Sequence, residues 1–296
     1  GCVAQAEGDV LLKKEKYINA IVGPQSYHEI NKIILNAENK NIKVNSTEFE
    51  VIKKFDQLNV VKNTNSKVSS FLTIQEGCDK FCKFCVVPYT RGPEFSRDSK
   101  NIIDEIKALA DNGTKEIVLL GQNVSSYNDG NISLAKLIKK IANLKEIKRI
   151  RFTTSHPNDF DDELISLYSE EPKLMPQLHL PVQSGSDKIL KLMNRNHTRV
   201  DYLNLINKFR FHRPDIQFSS DFIVGYPGEK DSDHQDTINL IKEVGFSLSY
   251  SFIYSQRPGT PASNYDEIPR ETTMKRLEEL QSILFKQQLE FNHYMI

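Results

Sequence analysis

Three cysteines lie within eight residues of this chain, Cys78, Cys82 and Cys85 in the run GCDKFCKFC, and no cysteine follows them. Such clustering indicates a metal site, because thiolates are strong ligands for zinc and for iron–sulfur clusters. A structural zinc site needs four protein ligands, and this window offers no His and no fourth Cys. An iron–sulfur cube held by three cysteines instead leaves one iron open for a small-molecule ligand. The spacing therefore predicts a 4Fe–4S cluster that takes part in chemistry.

Cys82 and Cys85 also form a CxxC pair, which is compatible with two other kinds of site. The pair alone could be a thioredoxin-like redox centre or half of a zinc knuckle. Neither of these sites gives a role to Cys78. The arrangement favours the cluster, and both alternatives stay open at this point.

Length and composition limit the classes of protein to consider. The chain has 296 residues, 39% of them hydrophobic and 26% charged, which is typical of a soluble globular protein with one large domain and a smaller piece. No apolar run approaches the roughly 18 residues that span a bilayer, and the N-terminus lacks a signal-peptide pattern. Four cysteines, three of them clustered, favour a reduced compartment. We therefore expect a cytoplasmic monomer without a membrane segment. Because 39 basic residues balance 39 acidic ones, any contact with RNA must be local.

From residue 68 onward, short β-rich runs alternate with amphipathic helical patterns, as in βα units that feed a parallel sheet. The predicted strands are VSSFLTI (68–74), EIVLLG (116–121), RIRFTTS (149–155), QLHLPV (177–182), FSSDFIVG (218–225) and SLSYSFIYS (247–255). About six such units predict an α/β fold, an open partial parallel β/α barrel, since a closed barrel needs eight. We expect a remnant of an N-terminal α/β domain at 1–55, a linker at 56–67, and the barrel with a C-terminal amphipathic helix at 68–296. The apolar face of that helix is predicted to carry Met274, Leu277, Leu280, Leu284 and Leu289.

Polar and glycine-rich segments follow the predicted strands, where parallel barrels collect their functional groups. After the cysteine loop they are GQN at 121–123, SHP at 155–157, QSGS at 183–186, GYPGE at 225–229 and SQRPGTPA at 255–262. Glycine lets the backbone approach a ligand, and hydroxyl and amide groups can bond it. Their joint occurrence predicts a cofactor cleft.

The spacing CxxxCxxC, with Phe84 directly before the last cysteine, resembles the signature of the radical S-adenosylmethionine (SAM) enzymes. Over nearly the whole chain the sequence resembles one family of them, the radical SAM methylthiotransferases. The likeness rests on GCVAQAEG, IVGPQ, QEGCDKFCKFCVVPYTRGPEFSR, LLGQNV, TTSHP, LHLPVQSGS followed by MNR, SSDFIVGYPGE and YSFIYSQRPGTPA, in this order. YTRGPEF and GQNV favour the branch that acts on isopentenyladenosine in tRNA.

This resemblance implies an enzyme with two 4Fe–4S clusters and two uses of SAM. One cluster generates an adenosyl radical with an electron from an external donor, and the second supplies the sulfur that is methylated and installed at C2 of isopentenyladenosine next to the anticodon. Cys78, Cys82 and Cys85 match the ligands of the radical cluster. Residues implied to contact or face SAM are Phe84, Gln122, Gln183, Ser184, Arg195 and Asp221.

Two departures from the family pattern affect the expected function. Cys2 matches one of three ligands of the sulfur-donor cluster, whose other two are missing from this sequence. The family continues beyond FNHYMI into a small RNA-binding β-barrel. We therefore expect a chain truncated at both ends, without the sulfur-donor cluster. Alternative interpretations are a methylthiotransferase acting on threonylcarbamoyladenosine in tRNA or on a ribosomal-protein aspartate, a non-catalytic remnant, and a zinc module.

Overall fold

The computed structural model describes residues 1–40, 43–48, 55 and 68–295. The predicted linker, 56–67, lies outside the described residues. Ten strands occur in the described ranges: β1 (Ala20–Val22), β2 (Val44–Ser46), β3 (Ser69–Thr73), β4 (Gln75–Glu76), β5 (Phe95–Ser96), β6 (Glu116–Leu120), β7 (Arg149–Phe152), β8 (Gln177–His179), β9 (Gln217–Val224) and β10 (Leu248–Ile253). The α-helices there are α1 (Cys2–Lys14), α2 (Ile30–Lys40), α3 (Val87–Arg91), α4 (Ser99–Asp111), α5 (Leu134–Ala142), α6 (Asp162–Glu170), α7 (Asp187–Leu192), α8 (Arg199–His212), α9 (Asp231–Val244) and α10 (Arg270–Met295).

The chain divides into two compact units. The first takes the described residues of 1–62 together with Glu76–Phe95 and Gln256–Ser263, so three separate stretches of chain build it. The second takes the described residues of 63–75 together with Ser96–Ser255 and the described residues of 264–296. The cysteine loop thus groups with the N-terminal residues, whereas the sequence-based boundaries put it with the barrel.

The first unit has a small α/β arrangement. Strands β1 and β2 pair in parallel, with Ala20 opposite Val44, and α1 and α2 contact them. Leu12, Ile21 and Ile33 are buried in this part of the unit. Helix α1 contacts α3, the short helix that follows the cysteines.

The second unit contains the six predicted barrel strands, all of which are confirmed and all of which run in parallel. Strand β6 lies between β3 and β7, and β9 lies between β8 and β10. An isolated parallel bridge joins Ile150 of β7 to Leu174, in the segment that leads into β8. Ile117, Val118 and Leu119 of β6 are all buried, as expected for a parallel strand covered on both faces. The expectation of an α/β fold with a partial parallel barrel is confirmed.

Helices of this unit begin and end at residues that the sequence makes recognisable. Ser133 caps α5 by accepting a hydrogen bond from the Lys136 amide, and Asp161 caps α6 by accepting one from Leu164. Helix α9 ends at Gly245, whose positive φ provides the left-handed C-cap.

Helix α10 packs against β10 and α9, but its predicted apolar face is partly wrong. Leu280 and Leu284 are buried, whereas Met274 and Leu289 are exposed. Arg276 and Thr273 take the buried positions one and two helical turns before Leu280 instead. Among the helices of the described ranges, none combines the length and apolar character that a bilayer crossing requires.

Candidate functional site

The loop that carries the three cysteines begins at Gly77, in the first unit. Gly77 has φ +85°, and a Cβ there would overlap the backbone of Gly92 and Pro93, so only glycine fits. The Cys78 amide donates a hydrogen bond to the Gly92 carbonyl (3.2 Å), and the Cys85 amide donates one to the Cys82 carbonyl (2.9 Å). The backbone therefore closes the loop around its own cysteines.

The thiols of this loop lie close enough to influence one another. Cys82 is buried, and Cys78 and Cys85 are partly buried. Burial raises the pKa of Cys78 to about 12, and the charge of Glu94 and the neighbouring thiols of Cys82 and Cys85 act in the same direction. A bound metal centre would reverse this effect, because a nearby cation stabilises the thiolate.

The donor set of the loop fits an iron–sulfur cluster with an open iron better than a closed zinc site. All three donors are sulfur, and the window between Cys78 and Cys85 contains no imidazole. In the part of the chain that the structure describes, no three Cys, His, Asp or Glu side chains already stand in a metal-binding arrangement. The assignment of the three cysteines as cluster ligands stays a prediction.

Cys2 belongs to the same unit as the cysteine loop. The Arg91 guanidinium pairs with the Glu76 carboxylate at 2.6 Å, and it also interacts with the Cys2 thiol. The Gln25 amide group donates a further hydrogen bond to Glu76. Arg91 thus ties the first turn of α1 to the residues that flank the loop. Phe84, in the loop itself, is partly buried.

Gln122 lies at the carboxyl end of β6, in the second unit, where the backbone is fixed by Gln75. The Gln75 side-chain oxygen accepts hydrogen bonds from the amides of Gln122 (2.9 Å) and Asn123 (3.0 Å). A Cβ on Gly121 would lie 2.7 Å from the same oxygen, which explains glycine at this position. The strand end therefore has one defined conformation.

The structure brings Gln183 and Asp221 together after β8 and on β9. The Gln183 amide donates to the Asp221 carbonyl (3.0 Å), and Gln183 has φ +76°, which is rare for a residue other than glycine. The Asp221 carboxylate lies 3.5 Å from Nε2 of His179. Backbone strain of this kind is concentrated at functional sites.

Ser184 is buried and its hydroxyl is engaged within the fold. It lies 3.3 Å from the Thr237 hydroxyl and accepts a hydrogen bond from the Ser186 amide (3.2 Å). These contacts fix the turn that leads into α7. A role for Ser184 in binding SAM stays a prediction.

Arg195 is buried after α7, and its guanidinium donates to the Pro181 carbonyl. Nearby lies His197, which the sequence reasoning missed, and its ring meets that of His156 edge to face with centroids 5.8 Å apart. Burial and the charge of Arg195 lower the pKa of His197 to about 3, so its imidazole is neutral near pH 7. Both ring nitrogens of His197 and the Ser155 hydroxyl are buried and have no hydrogen-bond partner among the described residues. Orphaned polar atoms near strand ends fit a site that binds a polar cofactor.

A second feature that the sequence reasoning missed is the attachment of α10 to the loop after β9. The Glu229 carboxylate accepts hydrogen bonds from the Gly225 amide (3.0 Å) and from Arg276 (2.7 Å). Arg276 also donates to Asp231 at 2.6 Å. Gly225 has φ +73°, and a Cβ there would overlap the Thr273 side chain. The only sequence signal for this contact was an arginine close to the apolar face of a helix.

Comparison with known proteins agrees with this geometry. Residues 72–241 match the model of the radical SAM superfamily, more than half of the chain, and the match includes the three clustered cysteines. The superfamily confirms the two expected cofactors, a 4Fe–4S cluster and SAM. Solved structures with the same fold include the cobalamin-dependent SAM radical enzyme OxsB (TM-score 0.60, 13% identity, 97% of this chain and 42% of that one). Another is coproporphyrinogen III oxidase from Escherichia coli (TM-score 0.57, 18% identity, 77% and 54%).

Curated relatives identify the family more narrowly than the solved structures do. The tRNA-2-methylthio-N(6)-dimethylallyladenosine synthase of Pelagibacter ubique is 54% identical over 296 residues, which cover 99% of this chain and 66% of the relative. The protein of the same name from Ehrlichia ruminantium is 51% identical over 302 residues, which cover 100% and 68%. This chain thus spans about two thirds of the length of these relatives. It belongs to the radical SAM superfamily and, within it, to the family of tRNA-2-methylthio-N(6)-dimethylallyladenosine synthases.

Proposed function

We propose that this chain carries the radical-generating part of a tRNA methylthiotransferase, a transferase that adds a methylthio group to C2 of isopentenyladenosine next to the anticodon. The observation that carries the proposal is the loop from Gly77 to Cys85, which presents three sulfur donors inside the segment that matches the radical SAM family. About half of the aligned residues are identical to those of synthases with this name, which supports isopentenyladenosine as the substrate.

In this function, Cys78, Cys82 and Cys85 would hold the 4Fe–4S cluster, and the iron without a cysteine ligand would be free to bind SAM. When both are bound, they supply a carbon-centred radical that can remove a hydrogen atom from a ring carbon. The protein contributes binding and orientation, because the reaction depends on the placement of reactive atoms.

Within the second unit, the residues proposed to contact SAM are held in defined positions. Gln75 fixes the backbone at Gln122, and the bond between Gln183 and Asp221 fixes the ends of β8 and β9. The Asp221 carboxylate can accept hydrogen bonds from hydroxyl groups of a ribose, and His179 at 3.5 Å holds that carboxylate in place. The neutral His197 ring offers one donor and one acceptor.

The sulfur-donating step requires more than these 296 residues provide. Cys2 is the one cysteine outside the loop, and a single thiolate cannot hold an iron–sulfur cube. We therefore propose that a polypeptide of this sequence cleaves SAM but does not complete methylthiolation on its own. Its partners are the tRNA substrate and an external one-electron donor, and it acts as a cytoplasmic monomer.

Anaerobic reconstitution of the purified chain with iron and sulfide tests this function. We expect about four irons per chain, a brown colour, and 5'-deoxyadenosine when dithionite and SAM are added. Alanine substitution of Cys78, Cys82 or Cys85 is expected to abolish the product and the iron, whereas Cys2→Ala retains about four irons. Stoichiometric zinc, about eight irons, or a colourless protein would refute the assignment.

A further inference from the structure

Two aromatic side chains beside the predicted cluster ligands are exposed. Phe81 lies directly before Cys82 and exposes 51% of its surface, and Tyr89 of α3 exposes 47%. Their rings contact edge to face, with centroids 6.1 Å apart and planes at 82°. Burial of rings of this size normally contributes strongly to stability, so an exposed pair points to a use outside the core.

The backbone presents both rings in a defined way. Phe81 has φ +48°, a conformation that is an outlier for a bulky residue and that persists where the surrounding structure enforces it. Tyr89 is held by the first turn of α3, where the amides of Tyr89 and Thr90 donate to the Val86 carbonyl at 3.1 and 3.0 Å. The two rings are therefore fixed relative to the cysteine loop.

Basic residues lie next to Phe81 in the sequence of the first unit. Lys80 precedes Phe81 and Lys83 follows it two residues later. The Ala262 amide donates to the Lys83 carbonyl (3.0 Å), which attaches the segment Gln256–Ser263 with its exposed Arg257 to the loop. Of the nearby acids, Glu94 accepts a hydrogen bond from the Asp79 amide (3.4 Å) and Glu76 pairs with Arg91. Across residues 76–95 the acidic and basic residues are equal in number, so the cations that matter for this surface are the two lysines next to Phe81 in the sequence.

We propose that Phe81 and Tyr89, with Lys80 and Lys83 on either side of Phe81 in the sequence, form a platform on which an unpaired base of the RNA substrate stacks. The inference rests on the proposed function and names the residues that would hold its substrate. Proteins bind single-stranded RNA by stacking bases on exposed aromatic rings while cations contact the phosphates, and this surface has both components. Because Phe81 adjoins Cys82, a base bound here lies next to the cluster loop.

The test measures binding of two fluorescent RNA probes to the reconstituted chain: a hairpin with a purine-rich single-stranded loop, and a blunt duplex of the same stem. We expect Tyr89→Leu and Phe81→Leu each to weaken hairpin binding by about tenfold, the loss typical of one stacking contact. Tyr89→Phe keeps the ring and should stay within about twofold of wild type. Tyr17→Leu, at a tyrosine of the same unit that is 79% exposed, is the matched control and should change nothing.

The outcomes separate this proposal from the proposed function, because formation of 5'-deoxyadenosine by the wild-type chain is measured without RNA. If the wild type cleaves SAM but both Leu variants keep their hairpin affinity, the platform is wrong and the radical function stands. Equal binding of hairpin and duplex, or no RNA binding at all, also overturns the platform. If the Leu variants instead convert a dimer to a monomer in sedimentation and keep their RNA affinity, the surface serves self-association.

Discussion

Replacement of Arg276 by methionine tests whether α10 braces the loop after β9. The Arg276 and Glu229 side chains are 8% and 4% exposed, and their charged groups lie 2.7 Å apart. Arg276 also donates to the Glu229 carbonyl (3.3 Å) and to the exposed carboxylate of Asp231 (2.6 Å). The substitution keeps a long apolar side chain but removes every one of these bonds.

The cost follows from the burial of the two partners. Breaking one side of a buried ion pair typically costs about 3 to 5 kcal/mol, because the other charge is left uncompensated. The exposed bond to Asp231 adds about 0 to 1 kcal/mol. Glu229 keeps the hydrogen bond from Gly225 and can take up a proton, so the lower end, about 3 kcal/mol, applies. For a domain of this size, that loss corresponds to a fall in Tm of roughly 6 to 12 °C.

The loss of stability caused by Arg276→Met should depend on pH in a defined direction. Burial already raises the pKa of Glu229 above its usual value, although Arg276 opposes the shift. Without Arg276 that pKa rises further. A group whose pKa is raised in the folded state contributes its stability below the unfolded pKa and loses it as the pH rises through the folded pKa. The free energy of unfolding of the variant should therefore be closest to that of wild type in acid, and the difference between them should grow as the pH approaches neutrality.

Thermal and urea unfolding of the variant at several pH values measure this effect. Lys275→Met is the matched control, because the neighbouring lysine pairs with Glu271 on the exposed face and should change stability by less than about 0.5 kcal/mol. The double variant Arg276→Met with Glu229→Gln should recover part of the loss, since no buried charge remains. Strictly additive effects, or an Arg276→Met protein as stable as the control, would refute the bracing role.

Two further predictions concern the second unit. The pKa of His197 is lowered to about 3 in the folded chain, so this residue should make the protein lose stability as the pH falls from about 6.5 toward 3. His197→Phe should reduce that loss, which is measured as the difference in the free energy of unfolding between pH 7 and pH 5. Gly225→Ala should destabilise more than Gly245→Ala in urea unfolding. Both glycines have positive φ, which costs roughly 1 to 2 kcal/mol for alanine, but only at Gly225 would the new Cβ overlap a side chain, that of Thr273. Equal losses would show that the Thr273 contact yields at no cost.

Local sequence signals predicted the elements of the barrel well. Strand β9 occupies 217–224, where 218–225 was expected, because an apolar run bounded by charged and glycine residues defines it. Helix α9 ends at Gly245, and a left-handed cap of this kind depends on one residue next to the helix in the sequence. Strand and helix boundaries of this kind depend on residues that are close together in the sequence.

Features that depend on distant partners were not predicted. Arg276 is buried because Glu229, 47 residues earlier, supplies the counter-charge, and no periodicity in α10 shows this. Likewise, nothing in the sequence around His197 reveals that its ring meets His156 or that its nitrogens have no hydrogen-bond partner among the described residues. The cysteine spacing predicted the chemistry of the loop, whereas the exposure of Phe81 and Tyr89 required the structure.

The first unit is built from three separate stretches of chain. This arrangement constrains the order in which parts of the chain can fold during translation. Its last stretch ends at Ser263, and the Ala262 amide bonds to the Lys83 carbonyl in the cysteine loop. A ribosome must therefore make all six barrel strands before this unit has every stretch it needs. Domains fold as their residues emerge, so the barrel strands are available to pair before the loop gains its last backbone contact. The cysteine loop therefore gains its last backbone contact late in translation.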